Sequence, residues 1–367
     1  MENELLHQLA LTLVPQIGPV QAKLLVDHFG SASAIFKSKK TLLESIEGIG
    51  EVRAANIKKF TGFKKAEEEI SFLEKYKIKP LFIADAAYPQ RLLNCTDPPT
   101  MLYYRGVANL NASKIIAVVG TRSKTEYGKH LTENLIEGLQ EQQVTIVSGL
   151  ALGIDAIAHK AALKHSLPTI AVVAHGLDKM YPPEHAVLAK EMIKGNGGLL
   201  TEFMSKTKPD KHNFPSRNRV VAGMCDATVI VETDIKGGSI ITAELANSYN
   251  RDVFAFPGKV TDNKSAGCNL LIKNNKAILL TCAQDIIDIM GWTAQSNKPK
   301  KIQKELFVQL STAEKTIADL LKENDQLHID EIRLKSNLSN SAVAAAILNL
   351  ELQNIVRTQP GKMYSLF

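Results

Sequence analysis

Residues 206–223 read KTKPDKHNFPSRNRVVAG. Between Lys206 and Arg219, the cations Lys206, Lys208, Lys211, Arg217 and Arg219 share a short stretch with His212 and one aromatic, Phe214. Cations that track phosphates and a ring that stacks on a base suit single-stranded nucleic acid, the stack contributing about 1–3 kcal/mol per base. A plainer reading has Phe214-Pro215 packed on the core and Arg217 or Arg219 paired with a carboxylate. Composition does not choose between them. Glycine turns carry the second kind of chemistry: Gly120-Thr121-Arg122, Ser148-Gly149 running on to Gly153-Ile154-Asp155, and Gly237-Gly238-Ser239. A glycine turn feeding a helix offers unpaired backbone N–H groups to an anion, which predicts a phosphate site with Arg122 above it. At the third turn, Ser239 also suits a plain helix N-cap. Asp155 and His159, four residues apart, have the spacing of an acid/base pair on one helix face. A helix-capping carboxylate followed by a packed histidine has the same spacing.

These turns need a scaffold, and the apolar pattern supplies one. Residues 115–119 form an apolar run that stops at Gly120, and a helical pattern over 131–139 leads to a second run at 144–147. Further strand-like runs fall at 168–173, 198–202, 227–231 and 253–256. Short β-rich runs alternating with amphipathic helices predict a doubly wound, mostly parallel sheet buried on both faces. Such sheets bind ligands at the carboxyl ends of their strands, where the glycine turns lie. Residues 76–112, with strand-like runs at 80–83 and 101–104, read as an N-terminal extension of that sheet. Residues 1–75 are helical throughout. Two segments about 32 residues apart, VPQIGPVQA and IEGIGEVRA, share an apolar residue, a glycine turn and a following helix with alanine. That is the form of a helix-hairpin-helix, whose turns face DNA phosphates, or of a helical interaction module with tight turns. Lysines 58, 59, 64 and 65 are followed by Glu67-Glu68-Glu69, which predicts a solvated helix with i,i+4 pairs. Residues 293–304 read as a linker, and 305–367 as three helices and a hairpin, a winged helix. Its third helix, SAVAAAILNLELQNI, has no Lys or Arg and so favours packing or protein contact over base reading.

The chain has 367 residues, 45% of them apolar, and a formal net charge of +6. That length suits two or three domains, and the mild positive charge leans towards polyanions without proving it. The four cysteines are scattered without CxxC or His at ligand spacing, which predicts reduced thiols, no metal and a cytoplasmic setting. No signal-peptide pattern or bilayer-length apolar run is present in the sequence. The first turn reads GTRSKTEYG, so the GxGxxG dinucleotide fingerprint is missing, as is the Walker A motif.

Taken in order, VVGTRSKTEYG, SGLALGIDAIAHKAAL, HGLDKMYPPEH, NFPSRNRVVAG, GGSIITAELA, FAFPGKV and AGCNLLI resemble the DprA/Smf family of DNA-processing proteins. The resemblance covers the whole α/β region. It implies a Rossmann-like domain over 76–292, between an N-terminal all-α helix-hairpin-helix/SAM-like domain (1–75) and a C-terminal winged helix. It implies a single-stranded-DNA-binding protein, not an enzyme and without cofactor, that protects incoming DNA in natural transformation. It further implies help in loading the RecA recombinase, and a homodimer formed through the α/β domain. Carried over by motif, Arg122 would contact phosphate, with Ser148 and Gly149 lining the same pocket. Lys211 and Phe214 would supply charge and stacking, Arg217 and Arg219 the positive rim, and Gly238 and Ser239 the second helix N-terminus. The chain departs from the usual pattern at Leu152, where many members have Arg, and at Lys236-Gly237-Gly238-Ser239, where Ser-Gly-Ser is usual. An alternative is a nucleotide-processing enzyme on a related scaffold, similar to the phosphoribohydrolases, with Glu244 near the catalytic position.

Overall fold

The computed structural model describes residues 2–292 and 310–367. One compact unit runs to Thr281 and a second from Cys282 to Phe367. The expected linker, 293–304, lies outside the described residues, as do the first residues of the expected winged helix, 305–309.

The first unit begins with helices α1 (Glu2–Leu13), α2 (Pro19–Phe29), α3 (Ala32–Lys37), α4 (Lys40–Glu44), α5 (Gly50–Lys58) and α6 (Phe63–Tyr76). The two glycine turns meet through Arg53, whose Nε donates to the Gln16 carbonyl at 3.1 Å and Nη1 to that of Gly48 at 3.0 Å. Gly48 and Gly50 have φ of +84° and +65°, backbone that side chains with a Cβ rarely adopt. These helices share one apolar core with the sheet: Leu9, Leu25 and Ile57 belong to the same buried cluster as Phe82, Leu102 and Ile115.

The sheet has nine strands: β1 (Lys79–Phe82), β2 (Met101–Gly106), β3 (Ile115–Val119), β4 (Thr145–Ser148), β5 (Thr169–Val172), β6 (Gly198–Thr201), β7 (Ala227–Ile230), β8 (Asp252–Ala255) and β9 (Ile278–Leu279). Their order is β1-β2-β6-β5-β4-β3-β7-β8-β9. From β6 to β9 all pairings are parallel, and β1 and β2 extend the edge antiparallel. The expected doubly wound, mostly parallel sheet is therefore present. Between the strands run α7 (Gln90–Leu93), α8 (Glu126–Gly138), α9 (Ile154–Lys164), α10 (Ala186–Lys194), α11 (Asn213–Gly223), α12 (Gly238–Ser248) and α13 (Asn263–Lys273). The chain moves one way from β3 through β4 and β5 to β6, then returns to β3's other side with β7. That reversal opens a crevice beyond the carboxyl ends of β3, β4 and β7.

The structure corrects two expectations. Residues 213–223 are not part of a loop but form α11. Pro215 disguises the helix in sequence, yet it sits in the first turn, where a missing N–H costs nothing. Glu69 is not solvated: it is 4% exposed, and its carboxylate accepts from the Ser205 N–H at 2.9 Å and the Ser205 hydroxyl at 2.5 Å.

The second unit holds α14 (Ala283–Ile289), α15 (Thr312–Glu323), β10 (Leu327–His328), α16 (Ile329–Ser336), α17 (Asn340–Leu352), β11 (Val356–Gln359) and β12 (Met363–Leu366). The strands form a small antiparallel sheet, β10-β12-β11, and α15, α16 and α17 close over Ile317, Ile332, Val343 and Ile347. This is a winged helix. Its third helix buries Val343, Ala346, Ile347 and Leu350 and leaves Leu348 and Leu352 exposed.

Candidate functional site

The crevice at the strand reversal is a groove of about 500 Å³. Three turns build it: residues 119–123 after β3, 149–155 after β4, and 233–239 after β7, with α11 forming the remaining wall. Of the residues expected from sequence, Arg122, Gly149, Lys211, Phe214, Arg217, Gly238 and Ser239 all line it.

Phe214 is half-buried at the start of α11. The Arg122 guanidinium carbon lies 5.2 Å from the centre of its ring and that of Arg217 5.8 Å, both within cation–π range. Arg122 and Lys211 are exposed, and neither forms an ion pair with a carboxylate among the described residues. Arg217 is buried. Its Nη1 donates to the Gly149 carbonyl and, at 2.8 Å, to that of Val172, while Nε donates to the Asn218 side chain at 3.0 Å. Burial pushes the Arg217 pKa down; the charge of Asp155 pushes it back up and that of Arg122 adds to the fall. A guanidinium starts from so high a value that it stays charged regardless.

The turn before α9 is closed. The Asp155 carboxylate accepts from the N–H groups of Gly149, at 3.1 Å, and Ala151, at 3.2 Å. Burial raises the Asp155 pKa, while Arg217, these N–H groups and the Ser148 hydroxyl lower it. The expectation that this turn presents its amides to a phosphate is thereby corrected, because an internal carboxylate already uses them. Ser148 is fully buried, bonds through its hydroxyl to the Val118 carbonyl at 2.7 Å, and does not line the groove. His159 is not an acid/base partner of Asp155. Its Nδ1 meets the Thr169 hydroxyl at 2.7 Å, and burial, with the charges of His185 and Arg217, pushes its pKa down to about 3.

The turn before α12 is open. Gly237 caps the helix without a side-chain hydrogen bond, and nothing among the described residues accepts from the N–H of Gly238 or Ser239. Two free amides at the positive end of a helix dipole form an anion seat. Beside it, Lys264 pairs with Asp234 at 3.3 Å.

Arg219 is not brought to the groove. It ion-pairs with Glu202 and donates to the Asp97 carbonyl, behind α11. Helix geometry explains the split: two residues along a helix is a turn of about 200°, so Arg217 and Arg219 face opposite sides. In a loop all the cations could converge; in a helix, Phe214, Arg217, Asn218 and Val221 share the groove face. Sequence reasoning passed over Asn218, Lys264 and Tyr181, whose ring lies 6.4 Å from that of Phe214. Helical spacing from Phe214 would have found Asn218; no local signal points to the other two. Glu244, the residue of the enzyme alternative, is exposed, pairs with Lys276 at 3.3 Å and does not line the groove. That leaves the alternative without its catalytic carboxylate. No helix among the described residues is long and apolar enough to cross a membrane.

Fold and site together define a Rossmann-like α/β protein with an open anion seat, carrying a helix-hairpin-helix module and a winged helix. Residues 79–291 match the family model described as DNA recombination-mediator protein A, 308–362 match the DprA winged helix domain, and 9–61 a SAM-like helix-hairpin-helix tandem. The chain belongs to the DprA/Smf family. It is 32% identical over 396 residues to Protein Smf of Synechocystis sp., covering 99% of this chain and 98% of that one. It is 40% identical over 214 residues to DNA processing protein DprA of Streptococcus pneumoniae, covering 58% of this chain and 75% of the relative. The X-ray structure of the Streptococcus pneumoniae protein superposes with a TM-score of 0.58 at 34% identity, over 70% of this chain and 96% of that one. That of DNA processing protein A from Helicobacter pylori, described by its single-stranded DNA binding mode, superposes at 0.52 with 32% identity, over 57% and 94%.

Proposed function

We propose that the groove binds single-stranded DNA without sequence preference. The observation that carries this reading is the Phe214 ring set between two guanidinium groups, opposite the open amides of Gly238 and Ser239. Phosphates would sit on Arg122, Lys211 and the α12 amides, with a base against Phe214. Phosphate contacts position a strand and specify nothing, so affinity depends on salt more than on sequence. Ser148 would act from behind, holding the β3 and β4 ends in register, and Arg217 would fix the Gly149 turn as well as face the strand. Arg219 would serve the site only by anchoring α11 to Glu202. The Helicobacter pylori relative, described as binding single-stranded DNA, supports this reading.

The recombination role implied by the family resemblance belongs to the same proposal: a cytoplasmic homodimer that protects incoming strands and helps load RecA, without catalysis. Fluorescence anisotropy on labelled oligo-dT across a salt series tests the groove. Arg122→Ala with Lys211→Ala should weaken binding and flatten the dependence of log K on log salt by about 0.7 per lost phosphate contact. Phe214→Ala should cost about 1–3 kcal/mol with the salt slope unchanged. A folded double variant with native affinity would sink the groove. RecA nucleation no faster on bound strand than on bare strand would remove the loading role alone.

A further inference from the structure

Behind Phe214 the groove opens into a second, smaller cavity of about 40 Å³. The two are continuous, since Arg122, Gly149, Phe214 and Arg217 line both. The remaining walls are of another character. Leu152, Tyr181, Pro182, Val173 and Ala174 make them mainly apolar. Leu152 and Tyr181 each keep 46% of their surface open, beside the strongest concentration of cations in the groove. The Tyr181 ring stands at 53° to that of Phe214, so the mouth is walled by two aromatic rings.

The polar groups around this cavity are already engaged. His175 Nδ1 meets the Gly176 carbonyl at 2.9 Å, and its Nε2 accepts from the Tyr181 N–H at 3.2 Å. The Ala174 carbonyl accepts from Asn213 at 3.2 Å. An occupant must therefore be held by shape and apolar contact. An anionic group attached to it would be favoured as well, because Arg122 and Arg217 stand where the cavity joins the groove.

We infer that this cavity takes one unpaired nucleobase of the strand lying in the groove, wedged against Tyr181, Leu152 and Phe214. The inference rests on the DNA reading above and adds to it the basis of strand selection. Phosphates alone do not distinguish one strand from two. A base in a duplex has its edge paired and its faces stacked, so it cannot turn into the cavity without breaking both contacts. An unpaired base enters at little cost and leaves its phosphate beside Arg122. Leu152 and Tyr181 thus determine specificity for single strands, while Arg122 and Lys211 supply the attraction common to both forms.

The test is anisotropy with three probes of equal length: oligo-dT, the same backbone made wholly of abasic nucleotides, and duplex. Leu152→Ser and Tyr181→Ala should each weaken oligo-dT binding by about tenfold, the middle of the range for one stacked base. Abasic and duplex binding and the salt slope should stay as in the native chain. Tyr181→Phe, which keeps the ring, should bind oligo-dT as the native chain does, and thermal melting reports whether each variant is folded. Native oligo-dT affinity in both folded wall variants would overturn the inference. So would an equal loss on oligo-dT and abasic strand, which would make the walls mere supports of the groove. Native protein that binds no strand at all would overturn the DNA reading itself.

Discussion

The turns that open α9 and α12 look alike in sequence and differ in kind. Both follow a parallel strand, both contain glycine, and both line one groove. At α9 the Asp155 carboxylate takes the N–H groups of Gly149 and Ala151. At α12 no side chain caps the helix, and the amides of Gly238 and Ser239 stay unbonded among the described residues. The difference lies in one acidic side chain, on the first turn of α9. A helix start is an anion seat only if nothing internal has claimed its donors. The closed turn serves the groove in a different way. Its Gly149 amide is fixed by Asp155 and its Gly149 carbonyl by Arg217, so it holds the buried guanidinium on which the wall of the groove depends.

The sharpest way to break this contrast is to remove the internal cap. Asp155→Ala leaves two buried amides without acceptors and Arg217 without its nearby negative charge. Destabilisation by about 3 kcal/mol or more is expected in urea unfolding. A loss below about 1 kcal/mol would mean the carboxylate does not close the turn. Gly149→Ala should act through the same centre, because an added Cβ would collide with the Arg217 guanidinium. The expected result is a displaced arginine, with loss of both melting temperature and DNA affinity.

The next effect is one of pH, and it too belongs to the closed side. His159, inside α9, has a pKa of about 3 against an ordinary value near 6.5. Its folded value is depressed, so between those limits the unfolded chain binds a proton that the folded chain refuses. Stability should therefore be full above about pH 6.5 and fall on acidification by about 1.4 kcal/mol per pH unit from this residue. The loss levels off near pH 3. His159→Gln should remove that part of the slope, and an identical acid profile in the variant would refute the assignment.

The smallest effect is expected at the open turn. A Cβ at Gly238 would meet nothing within 4 Å, and the backbone N–H would remain. Gly238→Ala should keep its melting temperature and bind oligo-dT within about twofold of native, since an amide seat depends on N–H groups and not on the side chain. A tenfold loss would show that the strand approaches closer than an alanine allows. Gly149 and Gly238, equal as letters, should thus lie at opposite ends of the scale.

Much of this fold was legible in the sequence, because its signals are periodic and local. The runs at 115–119, 144–147 and 227–231 stop at small residues, and those stops mark the crevice. Gly120, Gly149 and Gly238 were found that way. What escaped depended on partners far along the chain. The opposite facing of Arg217 and Arg219 follows from a helix that Pro215 masks. Closure of the α9 turn depends on which way one carboxylate bends, and the approach of Tyr181 to Phe214 joins residues 33 positions apart. Glu69 is the clearest case: an acidic triplet beside lysines looks solvated until Ser205 is set against it.

That carboxylate also bears on how such a chain can be taken apart. Ser205 opens the segment that carries Lys211 and leads into α11, so a helical element outside the α/β sheet holds the near end of the DNA-facing wall. A chain cut before β1 would lose the anchor for that segment and uncover the shared core at Phe82 and Leu102. Weak DNA binding by the remnant would then look like proof that the helices touch DNA, although they need never do so. Substituting Glu69 in the intact chain separates the two roles, because it releases the segment while every helix stays in place.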